Sequence, residues 1–110
     1  MDAHEEIGAE FEKALQARAR GNEGQARVCA RRAAGIAIRE YLTRQGVQSP
    51  STSASAMDLL NLIADESHLS PRLKLIAEHL TLRVNEEFKL PIDVDLIVEA
   101  RELCEELLKT

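Results

Sequence analysis

The stretch Gln25–Leu42, QARVCARRAAGIAIREYL, decides how this chain folds. Ala26, Ala30, Ala33, Ala34 and Ala37 recur at helical spacing and build a face of small side chains. Such a face lets a second helix approach closely. Arg27, Arg31, Arg32 and Arg39 crowd the rest of the turn and hold a fixed positive charge there. The pattern predicts the central helix of a bundle, about Gln25 to Gln45, ended by Gly46. Gly35 lies mid-helix, where glycine costs about 1 kcal/mol against alanine. A close backbone contact with another helix is the expected compensation.

Working outward, Ile7, Phe11, Ala14 and Leu15 mark one buried stripe of a helix from about Ala3 to Ala19. Gly21-Asn22-Glu23-Gly24 breaks it in a tight turn that favours antiparallel neighbours. Val47–Ser55, with Pro50 and several hydroxyl residues, reads as a polar connector. Ser53 or Ser55 caps a short helix running to about Asp65, with Met57, Leu60 and Ile63 or Ala64 facing inward. Ser70-Pro71 is a helix start, a capping hydroxyl followed by proline in the first turn. That helix is expected to continue to about Glu87. Leu69, Leu73, Ile76 and Leu80 make its core face, while Leu75 and Leu82 point nearly opposite. The second face is met either by another subunit or by the Val47–Ser55 connector. Beyond Pro91, Asp93 or Asp95 opens a last helix with Leu96, Ile97, Ala100, Leu103, Cys104, Leu107 and Leu108 as its stripe.

The expectation is therefore one all-α domain over residues 1–110. It is an up-and-down antiparallel bundle of four long helices and one short one. A chain of 110 residues buries enough core to fold without a metal or disulfide. No apolar run approaches the roughly 20 residues of a membrane helix. Cys29 and Cys104 fall in apolar helical positions and are expected to be reduced and buried, which fits a cytoplasmic protein. No histidine stands at metal-ligand spacing from them, so neither a metal nor a cofactor is expected.

Charge is uneven. The whole chain has 14 Lys and Arg against 19 Asp and Glu, a formal −5. Yet Arg18–Arg44 contains seven arginines and two glutamates. Either the acidic helices neutralise this basic one, or its outer face is kept for an anionic ligand or RNA. Arg27, Arg31 and Arg32 are the candidate ligand-binding residues on that face. A second candidate is Arg72 with His79. Seven residues place them on one side of a helix, about 10 Å apart along its axis, and Arg83, a fourth candidate ligand-binding residue, follows one turn later. An arginine can hold a phosphate while a histidine moves the 2′-hydroxyl proton, which is the chemistry of RNA cleavage.

Three segments carry a family resemblance. They are ARVCARRAAGIAIREYL, SASAMDLLNLIADE and AEHLTLRVNEEFKLPIDVDLIVEARELCEELL. Their order resembles the HEPN domain, the higher eukaryotes and prokaryotes nucleotide-binding domain. The resemblance implies a bundle that commonly forms homodimers and often works beside a separate minimal nucleotidyltransferase. It also implies a metal-independent RNase motif of Arg, four to six residues, then His. Arg72-Leu-Lys-Leu-Ile-Ala-Glu-His79 fits with six intervening residues. Leu73 departs from the polar residue that active members often carry after the arginine. The expected function is a non-catalytic nucleotide- or RNA-associated accessory module. The alternatives are an RNase of toxin–antitoxin type using Arg72 and His79, and a dimeric bundle with a structural role.

Overall fold

The computed structural model describes residues 2–46, 54–82 and 92–109. All regular structure among them is helical: α1 (Ala3–Ala19), α2 (Glu23–Arg44), α3 (Ala56–Ala64), α4 (Pro71–Leu80) and α5 (Leu96–Leu107). α2 packs against α1, α3 and α5, and α4 packs against α3 and α5. None of these helices is long and apolar enough to cross a membrane.

Each helix starts where a short polar side chain replaces a missing backbone partner. Asp2, Asn22, Ser55, Ser70 and Asp95 all accept from backbone N–H groups of the first turn they precede. Ser55 and Asp58 complete a reciprocal capping box. The α1–α2 turn is shorter than Gly21–Gly24. Gly21 takes a left-handed φ of 77°. Its N–H donates to the Arg18 carbonyl at 2.9 Å, and that of Asn22 to the Ala17 carbonyl at 2.8 Å. This pair of bonds closes α1. Asn22 then caps α2, so α2 begins at Glu23 and Gly24 lies inside its first turn.

Ala26, Ala30, Ala33, Ala34 and Ala37 are fully buried, as the small-residue face requires. Gly35 meets the start of α3. A β-carbon added to it would lie 3.0 Å from Ala56 Cβ and 3.1 Å from Ala56 Cα. The expected close helix contact is therefore real, and its partner is α3. Among the described residues the largest fully buried side chains are Ile38, Leu60, Ile63, Ile76, Leu80 and Leu103. Each contributes about 1.5–3 kcal/mol by leaving water.

Three expectations need correction. The Ser70-Pro71 helix ends at Leu80, so two helices among the described residues, α3 and α4, are short where one was expected; the rest of the expected span, 83–87, lies outside the described residues. At the end of α4 Thr81 N–H donates to Glu78 and Leu82 N–H to His79, both bonds of the tighter three-residue kind. Leu15 is 48% exposed. The buried stripe of α1 drifts instead through Ile7, Phe11, Ala14 and Ala17, because α1 packs chiefly on α2 alone. On α3 the inward residues are Leu59, Leu60 and Ile63, while Met57 is half-buried. The core stripe of α5 is as expected throughout. Of the second face proposed for α4, Leu75 is 42% exposed and Leu82 half-buried.

Candidate functional site

Arg72 and His79 do lie on one side of α4, and α5 joins them. Glu99 is 6% exposed and stands between them. Its Oε1 is 2.6 Å from His79 Nδ1 and its Oε2 is 3.5 Å from Arg72 Nη2. One turn further along α5, Glu102 takes the other edge of the guanidinium. Arg72 Nε donates to Glu102 Oε2 at 2.9 Å and Nη2 to Oε1 at 3.2 Å. This hydrogen-bonded pair holds the Glu102 carboxyl below its usual range and raises the already high pKa of Arg72.

The geometry assigns roles. An ionised carboxylate only accepts, so Nδ1 is the protonated nitrogen of His79 whenever Glu99 is charged. Two carboxylates share one guanidinium. With both acids ionised the cluster carries no net positive charge even when the His79 ring is charged, and an incoming phosphate meets Glu99 and Glu102 as well as Arg72. Arg83 lies outside the described residues.

Glu99 is the residue that the sequence reading missed. A signal for it exists. It stands three residues after Leu96 and four before Leu103, in a slot of the apolar stripe. An acid in such a slot needs a buried partner.

The α2 arginines divide by destination. Arg31 turns inward. Its Nε donates to the Leu80 carbonyl at 2.6 Å and its Nη2 to the Leu82 carbonyl at 3.0 Å. It caps the C-terminal end of α4, where cations are favoured. Leu80 is the carbonyl that a longer helix would use for residue 84, so Arg31 competes with continuation of α4. Burial, then the neighbouring Arg27 charge, lowers the Arg31 pKa. Arg39 donates to the Ala54 carbonyl ahead of α3, and Arg44 to the Leu108 carbonyl after α5. Outside α2, Arg18 grips Glu23 and the α5 cap Asp95 together. The basic segment thus fastens the ends of other helices. Of the candidate ligand residues on α2, Arg31 is committed, Arg27 is half-buried and Arg32 is exposed.

Cys29 and Cys104 are free and buried. Burial is the main cause that pushes the Cys104 thiol up to about 12, so it is a poor nucleophile. Among the described residues, no three His, Cys, Asp or Glu side chains are grouped to hold a metal ion. No family model, curated protein or solved structure matches the chain.

Proposed function

We propose that the chain is a non-catalytic accessory module of the HEPN type. In this reading it is an up-and-down antiparallel bundle that pairs with a second copy and works beside a separate minimal nucleotidyltransferase. The observation that carries the non-catalytic part is the shared carboxylate. Glu99 engages both Arg72 and His79, and Glu102 takes the remaining edge of the arginine. The phosphate-binding and proton-moving groups are thereby tied to the chain's own acids. In this reading the second copy would meet the chain at Leu75, exposed on α4, and Leu82, half-buried just after it. The all-helical bundle is compatible with the family's architecture. Affinity purification of the tagged chain from its own cells tests the partner. The reading expects a nucleotidyltransferase in the eluate, and loses that partner if none is enriched.

One feature favours a metal-independent RNase as the second reading. A buried carboxylate on Nδ1 fixes the imidazole and leaves Nε2 as the working nitrogen of a general acid or base. Cleavage of RNA in chelator, lost in both Arg72→Ala and His79→Ala, would establish it.

A further inference from the structure

α1 and α5 both pack on α2, yet not closely on one another. Two contacts bridge them. Arg18 reaches Asp95 at 3.0 Å, and the guanidinium carbon of Arg101 lies 4.8 Å above the Phe11 ring. From that ring to His4 and Leu108 a cleft of about 380 Å³ stays open, away from Arg72 and His79. Its floor is apolar, made by the core residues Ile7, Phe11 and Leu108. Cys104 joins the floor with its thiol turned inward, donating to the Ala33 carbonyl at 3.6 Å. The α1 wall is bare at Gly8, where an added β-carbon would meet nothing within 4 Å. Gly35 is matched by Ala56, but Gly8 is a mid-helix glycine that nothing in the described chain requires. Glycine weakens a helix, and what it does here is keep the cleft mouth open.

Three charged or titratable side chains stand on the rim besides the thiol: Arg101, Glu105 and His4, all exposed. With His4 neutral the formal charges of Arg101 and Glu105 cancel, so contact and not net field decides what binds. Among the described residues, Arg101 makes no hydrogen bond or ion pair, and its one contact is the Phe11 ring. Glu105, one turn further along α5, forms no ion pair with it. Arg44, at the Leu108 end, is already taken by the Leu108 carbonyl and Glu40. Arg101 is thus a reachable guanidinium, held in place by the ring beneath it, with its N–H groups unused.

We propose that this cleft binds a linear aliphatic monocarboxylate. The carboxylate takes two N–H groups of Arg101, whose planar fork matches it, and the chain runs past Gly8 over Ile7 and Leu108. Glu105 on the rim repels a second negative charge, which sets a monocarboxylate above a dicarboxylate or a phosphate. From His4 to Phe11 the cleft spans about 10 Å of helix, the reach of a medium-length chain. Its volume of about 380 Å³ lies at the small end of ligand sites.

The test is two-dimensional amide NMR of the full chain titrated with octanoate, octylamine and octanol, each below its micelle concentration. Octanoate is expected to shift the Gly8 and Arg101 amides saturably, and to bind about tenfold more tightly than either other probe. Arg101→Gln should bring octanoate down to the level of octanol. Gly8→Leu places a side chain in the mouth and a better helix former in α1. It should melt no lower than wild type and bind octanoate about tenfold more weakly, which keeps the proposal testable should the Arg101 variant fail to fold. Glu105→Gln removes the like charge and should bind octanoate at least as tightly as wild type. Arg20→Gln, exposed and outside the cleft, should leave binding unchanged. Absence of a saturable shift, equal binding of octanol, weaker binding by Glu105→Gln, or a folded Arg101→Gln or Gly8→Leu protein that binds as the wild type overturns the proposal.

Discussion

Glu99 on α5 and His79 on α4 meet at 2.6 Å, and this contact joins the two helices across a carboxylate that is almost fully buried. His79 is therefore a structural partner as well as a candidate for chemistry. Replacing it with alanine leaves the buried carboxylate short of a donor. His79→Ala should lower the stability of the bundle by about 1–3 kcal/mol. A shift of the urea midpoint measures this, and an unchanged midpoint would show that the contact contributes nothing.

Arg31 should behave as a fastener. Its guanidinium satisfies the Leu80 and Leu82 carbonyls at the end of α4. Arg31→Ala strips both of their donor and should cost about 1–3 kcal/mol. Arg27→Ala, from a residue without such a partner among the described residues, should change stability by no more than about 0.5 kcal/mol. Thermal melts of the two variants separate these outcomes, and equal behaviour would argue that Arg31 belongs to an outward stripe.

Gly35 is fixed by the neighbour it touches. A β-carbon there would lie 3.1 Å from the Ala56 backbone, which cannot rotate away as a side-chain tip can. Gly35→Ala should cost about 1–3 kcal/mol through overpacking, partly offset by about 1 kcal/mol of helix propensity. A variant more stable than wild type, judged by its melting temperature, would mean that α3 yields freely.

What was legible in the sequence was local. The cap at Ser70, the cap candidates Ser53 or Ser55 and Asp93 or Asp95, the alanine face and the need for a close neighbour at Gly35 follow from a few adjacent residues, while Asn22 reads as a turn residue and its capping of α2 does not show. The rest depended on which helices meet. The end of α4 was overrun because the apolar pattern continues past Leu80, while the cation on its carbonyls comes from Arg31, 49 residues earlier. Leu15 looked buried because spacing alone does not say that α1 packs chiefly on one helix. Arg72 and His79 were found by their spacing, but their common partner Glu99 belongs to another helix. Only the α4–α5 packing turns a possible catalytic pair into a neutralised cluster.

Acid should loosen the contact between the α1–α2 corner and the start of α5. The Arg18 hydrogen bond is the main cause that holds the Asp95 carboxyl below its ordinary 3.8. The folded state thus binds a proton there less readily than the unfolded chain. The stabilisation is complete above pH 3.8 and fades as pH falls through the lower folded value. Arg18 and Asp95 are both partly exposed, so the pair contributes at most about 1 kcal/mol. Asp95→Asn keeps a capping oxygen and removes the charge. Stability measured by denaturation from about pH 5 down to about pH 2 should therefore fall less steeply for this variant than for wild type, and parallel declines would remove the pair from the account.

The most direct measurement of the central claim is an RNA cleavage assay in chelator with purified wild type, Arg72→Ala and His79→Ala, carried out alongside their melting curves. Glu99 and Glu102 hold the two candidate groups, and the account predicts no cleavage by any of the three proteins, with His79→Ala less stable than wild type. Chelator-resistant cleavage by the wild type that leaves a cyclic or 3′-phosphate end, and disappears in both folded variants, would contradict it.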